Sequence, residues 1–185
     1  RIPILSLWLT AAETLPLPSA IKKVSVFGCS SYEFVAGGAG SGNVNRAYTV
    51  SLLDGLRNAG YTVDESLKPI YDTYIKEENR RNAPDPNNKY AQFMPTPRSA
   101  EMVLTVEQIQ YQADISDVAI VTLGRMSGEF LDRTSADFNL SREEKQLLDD
   151  VCSIFHAAGK RIIVILNIGD IIETASWKEL RKQCG

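Results

Sequence analysis

The sequence predicts an α/β fold: a doubly wound, mostly parallel sheet with helices on both faces. Three apolar runs of strand length carry this prediction, at 24–27, 117–123 and 161–166, and each is followed by a glycine or a polar residue. Segments of helical periodicity lie between the runs, so strand and helix alternate along the chain. In such sheets the strands point the same way, and ligands bind at their carboxyl ends.

The first elements form a β-α-β unit. The strand at 24–27 ends at Gly28, and a glycine-dense loop of unusual length follows it. A helix is predicted at 49–59, with Gly60 where a C-terminal cap belongs. A short strand at 61–63 completes the unit, which implies parallel strands joined by a right-handed crossover.

Periodicity and capping signals mark the remaining helices. One helix is predicted at 68–81, followed by a proline-rich excursion at 82–98 with the composition of a functional or anchoring loop. Two further helices begin at capping boxes, and the second is stopped by Gly159. The boxes pair Thr105 with Gln108 and Ser141 with Glu144.

Composition excludes several classes of function. The 185 residues are 44% hydrophobic and 23% charged, and the net charge of -3 gives no reason to expect nucleic acid or an anionic membrane as a partner. Three widely spaced cysteines indicate neither a disulfide framework nor a zinc site. The single histidine, His156, has no companion metal ligand at useful spacing. We therefore expect no metal and no cofactor.

The sequence also lacks evident targeting signals. No apolar stretch approaches the length of a membrane span, and the run at 4–9 has no convincing signal-peptide cleavage site. We expect a cytoplasmic protein. Secretion stays open because the native amino terminus is expected to lie upstream, and homo-oligomerisation stays open as well.

The candidate chemistry centres on the decapeptide GRMSGEFLDR at 124–133, which leaves the carboxyl end of the central predicted strand. It carries a carboxylate, Glu129, on a glycine-flanked loop where α/β proteins usually bind ligands. Arg125, Asp132 and Arg133 are close enough in sequence to tune this carboxylate. On spacing alone, a structural salt bridge or a solvated glutamate is the commoner role for such residues.

A second candidate element is the glycine-dense loop, in which four glycines frame Ser41. Glycine lets the main chain approach a ligand closely or adopt positive φ. Neither the dinucleotide fingerprint nor the P-loop pattern is present, so a nucleotide site is only weakly indicated. Ser41, Glu129 and Asn167 all follow predicted strands and are expected on one edge of the sheet. The four glycines are Gly37, Gly38, Gly40 and Gly42.

Several blocks of the chain, in the right order, resemble the carboxyl-side α/β sandwich domain of glycoside hydrolase family 3, the β-glucosidases. They are LPLP, KKVSVFG, GGAGSGNVN, YTVSLLDGLRNAG, DVAIVTLGRMSGEFLDR and IIVILNIGDIIETASW. The resemblance assigns 15–185 to a flavodoxin-like, incomplete sandwich domain that is truncated at its carboxyl end. It leaves 1–14 as an atypical amino-terminal segment.

The resemblance implies roles for individual residues. Glu129, in the family's S-G-E context, corresponds to the general acid/base of a retaining glycosidase. Ser41, flanked by Gly40 and Gly42, corresponds to a residue that contacts the sugar in the first subsite. Phe130 stands where the family commonly has a small residue, and we expect it to narrow the aglycone side. The residues expected to support this edge are Asp132, Arg133 and Asn167.

A retaining glycosidase needs a nucleophilic carboxylate and an acid/base carboxyl, roughly 5 to 5.5 Å apart. By the resemblance, the nucleophilic aspartate comes from a separate (β/α)8 barrel domain of the same enzyme, whose motifs are not found in these residues. The implied substrate is a β-linked glucoside or a short oligosaccharide. We expect this chain alone to be inactive, and its sugar and linkage specificity to depend mostly on the barrel.

The residues by themselves leave two other interpretations open, because a fold does not fix a function. One is a non-catalytic module that binds carbohydrate or a protein partner. The other is a flavodoxin-like nucleotide binder that uses the glycine loop. The first is favoured if Glu129 is distant from any cleft shared with Ser41.

Overall fold

The computed structural model of the chain describes residues 16–37, 47–85, 87, 97–126, 134–169 and 171–177. Within these ranges four strands form one sheet. All are parallel, and their order across the sheet is β2-β1-β3-β4. The predicted α/β class and parallel sheet are confirmed. The strands are β1 (Lys23–Phe27), β2 (Thr62–Val63), β3 (Val118–Arg125) and β4 (Arg161–Ile168).

Helices connect the strands, and the predicted positions of the longer ones are confirmed. The helix predicted at 68–81 has these bounds, and the one predicted at 49–59 is shorter. Among the described helices, none combines the length and apolarity needed to cross a membrane. The helices are α1 (Cys29–Tyr32), α2 (Leu52–Asn58), α3 (Lys68–Arg81), α4 (Val106–Ile115), α5 (Ser135–Phe138) and α6 (Arg142–Ala157).

The prediction of an uninterrupted loop after β1 is wrong at its start, where α1 forms. A helix of four residues is too short to show a periodic apolar pattern. Its buried residues are Cys29, Ser30 and Ser31, which carry no strong hydrophobic signal in sequence. The equally short α5 was missed for the same reason. α5 begins at a capping box of Thr134 and Asp137, whereas the first amide of α1 is bound by Glu101, 72 residues away in sequence.

Both predicted capping boxes are confirmed. The Thr105 hydroxyl accepts a hydrogen bond from the Gln108 amide at 3.2 Å, and the Ser141 hydroxyl accepts one from the Glu144 amide at 3.1 Å. In each case the side chain of the fourth residue returns to the amide of the capping residue. These pairs satisfy main-chain donors that a helix start leaves free. The polar signals in the sequence therefore set where α4 and α6 begin.

The sheet separates two apolar clusters, because successive side chains of a strand point to opposite faces. On one face Phe27, Val121 and Leu123 pack with residues of α3, α4 and α6. On the other face the strand residues pack with Leu53 of α2. Helices thus cover both faces, as predicted, with most of the helical mass on one of them.

The topology places the segments that lead to two predicted functional loops at one edge of the sheet. From β1 the chain passes through α2 to β2 on one side of β1, and later returns to place β3 on the other side. In doubly wound sheets such a switch point opens a crevice at the carboxyl ends of the strands. Phe27, the last residue of β1, lies opposite Val121 of β3, and β3 runs on to Arg125, so the segments that leave the two strands start from the same edge of the sheet.

Gly28 is required at the end of β1 on two counts. Its φ is +93°, and a Cβ atom there would lie 2.6 Å from the main-chain oxygen of Thr122. We expect Gly28→Ala to lower the free energy of unfolding by about 3 kcal/mol through strain and overlap with the main chain. Urea denaturation of the chain, followed by circular dichroism, measures this change.

The matched control is Gly55→Ala in α2, where a Cβ atom would meet its nearest neighbour, a Val50 methyl group, at 4.0 Å. Alanine is the better helix former, so we expect this substitution to be neutral or to stabilise by up to about 1 kcal/mol. Equal losses in the two variants would contradict the assignment of strain to Gly28.

Candidate active site

Most of the predicted site residues lie outside the described residues, and the structure reports on the segments that lead to them. The glycine-dense loop is described as far as Gly37 and again from Ala47. The loop after β3 is described as far as Met126 and again from Thr134. Asn167 is described. The residues outside the description are Gly38, Gly40, Ser41, Gly42, Glu129, Phe130, Asp132 and Arg133.

A pair of hydroxyl groups joins α1, which follows β1, to the carboxyl half of β3. Ser31 of α1 donates a hydrogen bond to the carbonyl oxygen of Phe27 and lies 2.7 Å from the hydroxyl of Thr122 in β3. Both Ser31 and Thr122 are buried. A hydrogen bond between buried side chains fixes their separation more firmly than an exposed one, because water does not compete for it. The segments that leave β1 and β3 therefore start from one fixed edge of the sheet.

Asn167 of β4 binds the segment after α1 at the same edge of the sheet. Its side-chain oxygen accepts a hydrogen bond from the Val35 amide at 2.7 Å, and its side-chain nitrogen donates to the Val35 carbonyl at 3.2 Å. Asn167 lies inside β4, opposite Gly124, rather than in a turn after the strand as predicted. It holds the main chain two residues before the first loop glycine, Gly37, and so orients the entry to that loop.

All three guanidinium nitrogens of Arg125 donate hydrogen bonds within the domain. Its guanidinium forms a bidentate salt bridge with Glu144, at 2.6 and 2.7 Å, and also donates to the carbonyl oxygens of Asp137 and Asn139. The contact with Asp137 is made through its main-chain oxygen, while the ion-pair partner is Glu144. Bidentate pairs of this kind are strong and directional. The charge of Arg125 is therefore neutralised at the end of β3.

Sequence reasoning missed Glu101, a buried carboxyl group beside the end of β1. Its two oxygens accept hydrogen bonds from the Cys29 amide, each at 3.1 Å, and one also accepts from the Met102 amide at 3.0 Å. Burial raises the pKa of Glu101 to about 7, although the amide donors oppose this shift. No periodic pattern marks this residue, which lies three positions after the end of the proline-rich excursion.

Glu101 lies in a cluster of buried groups whose pKa values are all raised. Burial raises the pKa of the Cys29 thiol and of the Tyr71 phenol, and the nearby Glu101 charge raises both further. The Tyr71 oxygen accepts a hydrogen bond from the Gly28 amide at 3.0 Å. A raised pKa is typical of acid/base residues, but the Glu101 oxygens are occupied by main-chain donors. Glu101 therefore joins the end of β1 to the segment before α4 rather than meeting a substrate.

Arg98 is the second residue that sequence reasoning missed. One of its terminal nitrogens, Nη2, donates to the Ser30 hydroxyl at 2.8 Å and to the Glu33 carbonyl at 3.0 Å. The guanidinium lies against Gly124, where a Cβ atom would be 2.7 Å from the other terminal nitrogen, Nη1. Arg98 thus bridges the segment after β1 and the end of β3. It lies in the excursion at 82–98, which composition marked as a loop without indicating which side chain returns to the sheet.

Two further observations concern alternative sites. Within the described ranges no cluster of three or more potential metal-ligating side chains occurs. A cavity of about 390 Å³ opens near the amino ends of β1 and β3, lined by residues that include Lys23, Thr62 and Ser116. It lies away from the edge that bears the predicted site residues.

Comparisons with known proteins match this chain to one family. Residues 9–184 match the model of the glycosyl hydrolase family 3 C-terminal domain. The chain is 27% identical over 181 residues to beta-glucosidase A of Butyrivibrio fibrisolvens and 30% identical over 152 residues to a beta-glucosidase of Ruminococcus albus. These alignments cover 85% and 80% of this chain, but only 20% and 15% of the relatives.

Solved structures give the same result. Beta-glucosidase 3B of Thermotoga neapolitana in complex with glucose is 35% identical and superposes with a TM-score of 0.81, covering 95% of this chain and 24% of that one. A beta-glucosidase of Paenibacillus barengoltzii is 30% identical, with a TM-score of 0.77 over 96% of this chain and 18% of the other. The chain thus spans about a quarter or less of these proteins.

The buried carboxyl group predicts a pH dependence of stability. Because the pKa of Glu101 is raised from 4.5 to about 7 on folding, the folded state binds the proton more tightly than the unfolded state. The stabilisation that this tighter proton binding gives the folded state is fully present below pH 4.5 and is lost as the pH rises towards 7. We expect the free energy of unfolding to fall by up to about 3 kcal/mol over this window.

Glu101→Gln should remove most of this slope, as measured by urea denaturation at pH values from 4.5 to 8. The control is Glu107→Gln, because Glu107 is an exposed acid in α4 whose pKa is lowered rather than raised. A slope of wild-type size in Glu101→Gln would show that another group carries the dependence.

Proposed function

The chain belongs to glycosyl hydrolase family 3, whose C-terminal domain it forms, and we propose that it serves as the acid/base-bearing domain of a retaining β-glucosidase. In this proposal Glu129 is the general acid/base and Ser41 contacts the sugar bound in the first subsite. A (β/α)8 barrel domain of the same enzyme supplies the nucleophilic aspartate. The substrate is a β-linked glucoside or a short oligosaccharide.

One observation carries the proposal: the segments leading to Ser41 and Glu129 leave the same edge of the sheet. The pairing of β1 with β3 and the contact between Ser31 and Thr122 support this arrangement. A non-catalytic module has no need for the two loops to share an edge. The shared edge therefore favours the catalytic interpretation.

The proposed chemistry proceeds in two steps. The barrel's aspartate attacks the anomeric carbon while the Glu129 carboxyl protonates the departing glycosidic oxygen, which leaves a covalent glycosyl-enzyme. The Glu129 carboxylate then removes a proton from water, and the water oxygen displaces the aspartate. Glu129 is thereby reprotonated, and the hydroxyl group at the anomeric carbon completes the product.

The charges near the end of β3 are compatible with this role. A neighbouring cation lowers the pKa of a carboxyl group and so weakens it as an acid. Arg125, four residues before Glu129, is paired with Glu144 at 2.6 Å and is mostly shielded from solvent. Its charge is therefore compensated locally, and it is not a free cation beside the proposed acid.

Replacing the proposed acid should separate substrates by leaving group. In the complete enzyme we expect Glu129→Ala to lower kcat/KM on a disaccharide by about 10²- to 10⁴-fold. A dinitrophenyl glucoside needs no protonation of its leaving group, so its first step should be little affected. Steady-state kinetics with both substrates tests this, and azide should accelerate turnover of the activated substrate by replacing water.

The control variant is Glu107→Ala, which removes an exposed acid of α4 and should leave both substrates unaffected. Equal losses on the two substrates in Glu129→Ala, without rescue by azide, would argue against the acid/base role.

The proposal also predicts that the 185-residue chain alone is inactive, because it supplies one of the two required carboxyl groups. Purified chain incubated with nitrophenyl β-glucoside should release no nitrophenol above the rate in buffer. Release that disappears in Glu129→Gln would overturn the division of the site between two domains.

A further inference from the structure

The guanidinium of Arg98 lies at the junction of the two loops to which the proposed function assigns catalysis. It contacts the segment after β1 through Ser30 and Glu33, and it lies close to Gly124 near the end of β3, where a Cβ atom would be 2.7 Å from Nη1. A side chain from a third segment, before α4, thus joins the segments that lead to Ser41 and Glu129. Its position is set by both of them.

The environment of Arg98 differs from that of Arg125. No carboxylate among the described residues lies within salt-bridge distance of Arg98, whereas Arg125 is paired with Glu144. The nearby carboxylate of Glu33 instead accepts hydrogen bonds from Asn79 and Ser99. Nη1 of Arg98 is buried and has no acceptor among the residues that the structure describes. A buried donor without a partner is costly, so maximal stability does not account for this arginine.

Gly124 makes this arrangement sterically possible. A Cβ atom at that position would lie 2.6 Å from the Ser30 hydroxyl and 2.8 Å from the central carbon of the Arg98 guanidinium. Any larger residue would displace the guanidinium. Gly124 therefore leaves the space that the planar guanidinium of Arg98 occupies.

We propose that Arg98 is a positioning residue for catalysis, which holds the segments leading to Ser41 and Glu129 in a fixed mutual orientation through its contacts with Ser30, Glu33 and Gly124. This inference rests on the proposed function. The planar fork of arginine is essential, because Nη2 serves two acceptors while the rest of the guanidinium lies close to Gly124. Lysine offers the charge without this geometry.

The test compares four variants in the complete enzyme: Arg98→Met, Arg98→Lys, Gly124→Ala and the control Gly55→Ala. We expect the first three to lower kcat on a disaccharide by about 10- to 100-fold, the scale of a misplacement near 1 Å. The loss on a dinitrophenyl glucoside should be several-fold smaller, KM should change less than kcat, and Gly55→Ala should resemble wild type. If the role of Arg98 were merely structural, kcat on both substrates would fall in proportion to the folded fraction of the enzyme.

A second measurement does not depend on activity. The Val35 amide, which donates to Asn167, should exchange its hydrogen at least tenfold faster in Arg98→Met and Gly124→Ala than in wild type or Gly55→Ala. The melting temperature of Arg98→Met should stay within about 5 °C of wild type, since removing the guanidinium also removes an unpaired donor. If Arg98→Met does not fold, Arg98→Lys and Gly124→Ala decide the question by the same criteria.

The outcomes separate the two proposals. The positioning role is overturned if the wild-type enzyme is active and kcat changes less than threefold in Arg98→Met and Gly124→Ala. It is also overturned if Arg98→Lys is fully active. Both results would leave the proposed function intact. A complete enzyme inactive on every β-glucoside would overturn the proposed function. In that case, Val35 hydrogen exchange that is unchanged in the Arg98 and Gly124 variants would also overturn the role of Arg98 in holding the two segments. Faster exchange in these variants would support that role without any link to catalysis.

Discussion

The parallel pairing of β1 with β3 is the constraint on which the rest of the structure depends. It places the carboxyl ends of both strands at one edge and lets their side chains supply both apolar clusters. The main-chain hydrogen bonds between the strands set the register, and the alternation of side chains then decides which helix each residue meets. A slip of one residue would exchange the two faces and separate the hydroxyl groups of Ser31 and Thr122.

Polar side chains form a buried hydrogen-bonded network at the carboxyl end of β1. Glu101, Tyr71 and Arg98 all come from segments outside the sheet, and each contacts the short stretch between Gly28 and Glu33. Main-chain groups that a strand end leaves free are thereby satisfied by side chains. The result is a rigid base from which the glycine-dense loop departs, and precise support of this kind is what a catalytic loop requires.

The two arginines at the end of β3 serve different purposes. Arg125 is held by Glu144, whose side chain also accepts a hydrogen bond from the amide of Ser141, the capping residue of α6, so that the helix start and the strand end are joined by one ion pair. Arg98 has no such partner among the described residues and instead contacts main-chain and hydroxyl oxygens. One arginine thus fastens a helix to the sheet, and the other relates two loop segments to each other.

The sequence by itself determined the fold class, the longer strands and helices, both capping boxes and the family. These follow from apolar periodicity and from polar residues within a few positions of one another, both of which are local properties. Local spacing also marked Asn167 as a residue of the functional edge. The short helices α1 and α5 escaped because four residues carry no period.

Only the tertiary structure decided which side chains meet at the edge of the sheet. Glu101 lies 72 residues from its partner Cys29, and Arg98 lies 68 residues from Ser30. No spacing rule connects positions so far apart, since their contact depends on where the crossovers return the chain. The pKa of Glu101 near 7 and the fit of Arg98 against Gly124 arise from burial, which a chain acquires only when its segments pack.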